Sequence, residues 1–316
     1  MSETLADVGE FPLIQRVLAD LPQGSAVSLG PGDDGGVFLV DGRAVTSVDV
    51  FVEGVHFKRD WASAYDIGRK AVAASAADLE AMGAYPVAVL VGFAAPPDLP
   101  AEWASDCVRG IRAEAGKAGL SLVGGDVSSA RDITLAVTVI GETRVGLPVL
   151  RSGARPGDLV ALRGRLGWAA AGLAALRRGF RSPRVAVQAF QCPTPPYGAG
   201  AEAAGFGASA MIDVSDGLLA DLGHVARASG VLIDLDTRRL EIGDAVQAVA
   251  QATGREPLEF VLTGGEDHAL VATFPYGQVP QSWTVIGRVE ELGGLTPTVL
   301  VDGDRWAGPT GWTHFA

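Results

Sequence analysis

Gly30-Pro31-Gly32-Asp33-Asp34-Gly35-Gly36-Val37-Phe38-Leu39-Val40-Asp41-Gly42 decides between two folds. Its first six residues satisfy G-x-G-x-x-G, which in a dinucleotide-binding fold follows a strand and opens a helix. Here the glycines run instead into Val37 to Val40, then Asp41-Gly42, then a second apolar run from Ala44 to Val48. Asp-Gly between two such runs is a strong signal for a two-residue hairpin. In that hairpin Val40 faces Arg43, Val37 faces Thr46, and Asp34 falls opposite Asp49. Like charges facing each other on paired strands are destabilising, so the register predicts a cation between them. A glycine-rich acidic turn on a hairpin replaces the dinucleotide reading.

Outward from this stretch, helices and short strands interleave. Phe11 to Leu21 has helical spacing, and Pro22 stops it. Ser63, with Asp66 three residues on, predicts a capping box and a helix running to Met82. One buried stripe is expected on it, made of Ile67, Ala71, Ala74, Asp78 and Met82, which puts a carboxylate on an apolar face. Tyr85 to Phe93 reads as a strand, Ala101 onward as a helix ended by Gly119, and Ser121 to Val123 as a short strand running into Gly124-Gly125-Asp126. Ile133 to Ile140 alternates as a strand. Arg151 to Asp158 is loop chemistry and the best boundary. Beyond it come strands at Leu159 to Leu162, Val231 to Leu235, His268 to Phe274 and Trp283 to Val289, with helices at Trp168 to Arg178 and from Ser215, as its cap, to Ser229. The fold class is α+β: two mixed α/β sandwich domains, residues 1–150 and 151–316, rather than a doubly wound parallel sheet.

Composition narrows the function. A net charge of −12 over 316 residues argues against nucleic acid or an anionic membrane surface as partner. Cys107 and Cys192 have neither metal-ligand spacing nor a disulfide framework, which fits a reducing compartment. Met1 to Glu10 carries no apolar signal region, and no run spans a bilayer, so a soluble cytoplasmic protein is expected. Lys58, Lys70 and Lys117 lie in no phosphate loop, and no Ser/His/Asp or Cys/His set is evident.

What remains is a set of aspartates beside glycines at strand ends: Asp33, Asp34, Asp49, Asp126, Asp213 and Asp216, with Asp78 on its helix. Singly, each reads as a turn or cap residue. Together, oxygen-only ligands without His or Cys pairs suit Mg2+, and several Mg2+ ions among carboxylates point to phosphate chemistry. Gly124-Gly125-Asp126 and Gly264-Gly265-Glu266-Asp267 share a layout, read as tight turns whose amides can cradle an anion. His56 is a candidate phosphate or ring contact, whereas His224 and His314 have no such neighbourhood.

Gly32-Asp33-Asp34, Asp49 with Glu53 to Phe57, Ser75 to Ala84, Gly124 to Asp126, Arg151 to Asp158, Asp213 to Leu218 and Gly264 to Asp267 occur in one order. That series resembles the thiamine-monophosphate kinase family, in the aminoimidazole-ribonucleotide-synthetase-like superfamily. The resemblance implies ATP-dependent phosphorylation of thiamine monophosphate to thiamine diphosphate, with several Mg2+ ions. It implies Asp33, Asp34, Asp49, Asp78, Asp126, Asp213 and Asp216 as ligands, joined by Ser47 and by Val48 through its carbonyl. ATP contacts fall on Gly125, Asp126, Arg151 and Ser215, and substrate contacts on His56, Glu266 and Trp312. It further implies an N-terminal domain that binds metal and ATP and dimerises through a β-barrel interface. No general base is expected, because the acceptor is a phosphate oxygen rather than a hydroxyl. Alternatives are another enzyme of the superfamily, such as an aminoimidazole ribonucleotide synthetase or a selenophosphate synthetase, or a non-catalytic nucleotide- or metal-binding regulator. The selenophosphate reading wants a reactive N-terminal cysteine, and none precedes Cys107.

Overall fold

The computed structural model describes residues 3–32, 35–144 and 146–312. The chain divides into two compact units, Met1–Leu79 with Tyr85–Gly146, and Glu80–Ala84 with Leu147–Ala316.

The first unit contains α1 (Leu5–Val8), α2 (Glu10–Leu18), β1 (Val27–Leu29), β2 (Val37–Phe38), β3 (Arg43–Val52), α3 (Ala64–Ala81), β4 (Tyr85–Ala95), α4 (Ala101–Ala118), β5 (Ser121–Ser129) and β6 (Thr134–Thr143). The last residues of α3 are counted with the second unit. Among the described residues the main sheet has four strands in the order β3-β6-β4-β5, antiparallel except for the β4–β5 pair. Alternation on β6 works as its sequence dictates: Leu135, Val137 and Val139 are fully buried on one face.

The hairpin does not form. β2 pairs with β1 in a separate two-stranded sheet, and β3 pairs with β6 along ten residues, with Asp49 opposite Val137. The ten-residue partner with a buried apolar face outweighs a two-residue one, since register follows the apolar face and burial yields about 25 cal/mol per Å². Asp33 and Asp34, on which the expected pairing with Asp49 rests, lie outside the described residues.

Ser63 caps α3 as expected in part: its hydroxyl accepts from Asp66 N at 3.1 Å, and the Asp66 carboxylate takes the Ser63 hydroxyl at 2.7 Å rather than the cap backbone. The single stripe gives way to burial on every side from Lys70 to Ala77. Alanines are small enough for neighbours to close in all round the helix, and Asp78 is only half-buried.

The second unit contains β7 (Leu159–Arg163), α5 (Trp168–Arg177), α6 (Arg184–Gln191), α7 (Ala199–Gly205), β8 (Ala210–Val214), α8 (Leu218–Ser229), β9 (Leu232–Leu235), a 3-10 turn (Thr237–Arg239), α9 (Asp244–Thr253), α10 (Pro257–Thr263), β10 (Ala269–Phe274), β11 (Thr284–Glu290), β12 (Thr298–Val301) and β13 (Asp304–Arg305). Its described sheet runs β13-β12-β9-β11-β7-β10-β8, with only β12–β9 parallel. Both faces are covered. Ile212, Val214, Val271 and Ile286 pack with Leu218, Leu222 and Val261 of α8 and α10. Met211, Leu270 and Phe274 pack with Ala199 and Ala203 of α7. Strands buried on both faces read as near-continuous apolar runs, as β10 does inside the sheet and β8 at its edge. Among the described residues neither main sheet closes on itself as a barrel.

Candidate functional site

On β3, Val45 and Phe51 are buried, and Ser47 and Asp49 lie between them on the same face. The Ser47 hydroxyl donates to Asp78 Oδ2 on α3 at 2.5 Å. Val48 points the other way and is 60% exposed, next to Val50 at 50%. Asp126 belongs to that second face: Val50, Ala136, Gly92 and Asp126 form one cross-strand row. Its carboxylate is exposed and takes the Ser128 hydroxyl at 2.8 Å. The structure thus joins Ser47 to Asp78, sets Asp49 along the same face, and keeps Asp126 apart on the other.

Gly124, Gly125 and Asp126 are not a turn. They continue β5 beside β4, with Gly125 level with Val91. A Cβ on Gly125 would sit 2.2 Å from the Val91 carbonyl, so the residue must be glycine for the strand to pass. His56 lies in the loop after β3. Its Nδ1 accepts from Val52 N at 3.0 Å, which assigns the neutral ring's proton to Nε2, and its carbonyl takes Lys70 Nζ at 3.2 Å.

In the second unit, β8 delivers Asp213 into the turn Ser215-Asp216-Gly217. Ser215 is not the cap of α8; Gly217 holds that place at φ +137 without a side-chain bond. Asp221, one turn into the helix, replaces the cap. Its Oδ2 accepts from Ser215 N, Asp216 N and Gly217 N at 3.1, 3.0 and 3.0 Å. Burial pushes Asp221 up to about 7, with the Asp213 charge adding and the amides opposing.

The segment Gly264 to His268 packs against this turn. Glu266 N donates to Ser215 O at 2.7 Å, and His268 N to Val214 O at 2.9 Å. Glu266 and His268 both adopt left-handed backbone, φ +71 and +50, a conformation that costs non-glycine residues and clusters at functional sites. His268 Nδ1 lies 3.0 Å from Asp213 Oδ2, both buried. Asp267 accepts from Gly167 N at 2.5 Å and Ala169 N at 2.8 Å, pinning the start of α5, and burial raises it to about 7. Gly264 N and Glu266 N donate to backbone carbonyls, so these two amides are not turned to an anion, and the segment is not a strand as Gly124–Asp126 is. Trp312 N reaches Asp216 O at 3.0 Å.

Asp213, Ser215, Asp216, Glu266 and Trp312 therefore meet. Arg151 is exposed, with its carbonyl taking the Ser229 hydroxyl at 3.2 Å. Contrary to expectation, His224 does have a charged neighbourhood. Burial, Arg227 and Arg151 lower its pKa while Asp216 opposes them, which puts Arg151 and Asp216 in range of one ring. His314 lies outside the described residues. Sequence reasoning missed Asp221, Asp267 and His268. The available signal was an acid four residues after the glycine that opens a helix, placed to reach back to the first amides.

Among the described residues no group of three or more His, Cys, Asp or Glu is arranged to hold a metal ion. In the first unit the donors that meet, Ser47 with Asp78, are hard oxygens of the kind Mg2+ takes.

Residues 32–143 match the family described as AIR synthase related protein, N-terminal domain, and residues 155–299 match its C-terminal domain. A thiamine-monophosphate kinase of Mycobacterium tuberculosis is 50% identical over 316 residues, covering 99% of this chain and 94% of its own. The chain belongs to the thiamine-monophosphate kinase family. The family's Aquifex aeolicus member is 33% identical over 98% of this chain and 99% of its own. A solved structure described as AaThiL complexed with AMPPCP and TMP superposes with a TM-score of 0.80 at 30% identity, covering 98% of each chain. Hydrogenase maturation protein HypE, at 20% identity and a TM-score of 0.76 over 91% of this chain and 90% of its own, shares the fold alone.

Proposed function

We propose that this chain transfers the γ-phosphoryl group of ATP to the phosphate of thiamine monophosphate, giving thiamine diphosphate. The observation that carries the reading is the end-to-end match to the AaThiL complex with AMPPCP and TMP, a structure that holds an ATP analogue and this substrate together. The match to HypE is at fold level only and sets no second activity against this reading. A coupled ADP-release assay tests it. Turnover with thiamine monophosphate, and none with thiamine or aminoimidazole precursors, is the expected result; the reverse preference would overturn it.

The nucleophile is a phosphate-monoester oxygen, largely deprotonated near neutral pH because its second pKa is about 6. No general base is needed, and the task is to bring two anions into line. Mg2+, when bound, would neutralise and orient the phosphate oxygens. In the first unit its ligands in this reading are Asp33, Asp34, Ser47, the Val48 carbonyl, Asp49, Asp78 and Asp126; in the second they are Asp213 and Asp216. Gly125, Asp126, Arg151 and Ser215 bind ATP, Arg151 adding a cation. His56, Glu266 and Trp312 hold the substrate, Trp312 with a ring 53% exposed.

In the same reading residues 1–150 form the metal-, ATP-binding and dimerisation domain, and residues 151–316 the C-terminal domain. A second copy would cover the outer face of the four-stranded sheet and complete a barrel across the homodimer. Val48 and Val50, exposed side by side on that face, support this. Among the described residues no helix is long and apolar enough to cross a membrane. The cytoplasm is the compartment proposed, in keeping with Cys107 and Cys192 as buried thiols.

A further inference from the structure

We propose that Asp221 is the positioning residue that makes the Ser215-Asp216-Gly217 turn face a cation rather than cradle a phosphate. Successive backbone N–H groups converging on one point form an anion-binding nest. In this turn the three amides converge on Asp221 Oδ2, so the chain's own carboxylate fills the nest. The carbonyls are used as well: Val214 O, Ser215 O and Asp216 O accept from His268 N, Glu266 N and Trp312 N. With its backbone committed, the turn has the Ser215 hydroxyl and the Asp216 carboxylate, both on half-buried residues, as its remaining oxygens. Those are donors for a metal ion, and Ser215 would reach a nucleotide through its hydroxyl or through the ion, not through its amide.

The alternative is that Asp221 merely caps α8. A cap is obtained at less cost from a side chain at the exposed cap position, where Ser, Asp or Asn serve. Asp221 instead lies inside the helix, 3% exposed, near Asp213, itself 4% exposed. Adding a buried carboxylate beside Asp213, whose one side-chain partner among the described residues is His268, opposes folding unless further positive charge offsets it. The arrangement makes physical sense when a cation is the ligand.

This inference rests on the kinase reading, and the test separates the two. Asp221→Asn keeps shape and one oxygen but drops the charge. Hydrogen exchange across residues 213–217 is expected to be slow in the wild type and faster in the variant, with little change in the ligand-free Tm. Binding of Mn2+ with AMPPCP, followed by the Mn2+ electron spin resonance signal, should weaken by about tenfold or more, the usual size of losing a partner that orients a metal ligand. The KM for thiamine monophosphate should stay within about twofold while kcat falls, as when a transition-state interaction alone is lost. Formate should partly restore Mn2+ binding to Asp221→Ala. Fast wild-type exchange, unchanged Mn2+ binding in Asp221→Asn, no Mn2+ bound by either protein, or losses that only track Tm would each overturn the proposal. A wild type that binds Mn2+ with AMPPCP but phosphorylates no thiamine monophosphate would sink the kinase reading and leave this one standing.

Discussion

Asp78 and Asp49 in the first unit stand half-buried on an oxygen-lined face, with the Ser47 hydroxyl bridging strand and helix. Asp213, Asp221 and Asp267 in the second are 4, 3 and 9% exposed and hold a histidine or two to three backbone amides. Sequence alone does not tell the two groups apart. Their surroundings give them different work. An accessible carboxylate can exchange water for a ligand, whereas a buried one fixes the backbone around it.

The comparison breaks most visibly at Asp78. Asp78→Asn should lower kcat by more than about a hundredfold, beyond the 10–100-fold of an outer partner, with Tm nearly unchanged. Full activity at limiting Mg2+ would show Asp78 to be structural after all. Asp126→Asn, on the other face of the sheet, should also depress kcat chiefly, and steady-state kinetics at saturating ATP read both.

Asp267→Asn should behave in the opposite sense, losing stability before chemistry. An amide turns a donor-only NH2 toward one of the two N–H groups, where even a protonated carboxyl still offers an oxygen, so about 2–3 kcal/mol of stability is expected to go. Folding raises the Asp267 pKa from 3.8 to about 7, so the folded chain holds this proton more tightly than the unfolded one. That contribution is complete below 3.8 and is lost as pH rises through 7. Melting curves of wild type and variant should therefore lie furthest apart near pH 4 and converge toward pH 8. A gap that widens with pH would reverse the assignment.

Val48→Asp, an exposed position on the outer sheet face, should leave the monomer folded and abolish self-association in light scattering. A wild type that is already monomeric and active at micromolar concentration would remove the dimer from the reading. The smallest effect is expected at His56, where His56→Ala should raise KM for thiamine monophosphate more than it lowers kcat. A fall in kcat at unchanged KM would move His56 from holding substrate to the transfer itself.

Period and punctuation made most elements legible. The alternation on β6 and the cap at Ser63 needed only nearest neighbours. Pairing did not. Val37-Phe38 reads equally well against Ala44 to Val48 or against Val27 to Leu29, and only the longer partner β6, ninety residues on, settles which one β3 takes. The glycine pair before Asp126 reads as a turn because glycine usually marks one. Here it lets β5 pass close to Val91, a contact no local pattern announces. Among site residues, Asp78 stood out by its helical position. Asp267 and His268 looked like the tail of a turn, because burial arises from packing that distant segments supply.

Each unit also carries one cysteine. Cys107 is wholly buried, its thiol pushed up to about 12, and Cys192 is 7% exposed. The thiolate is the reactive species, so native Cys107 is chemically silent, and Cys192 is shielded by lack of access. Labelling with a thiol reagent then becomes a clock with two hands. The rate at Cys107 times the opening of the first unit and the rate at Cys192 that of the second, with no residue changed.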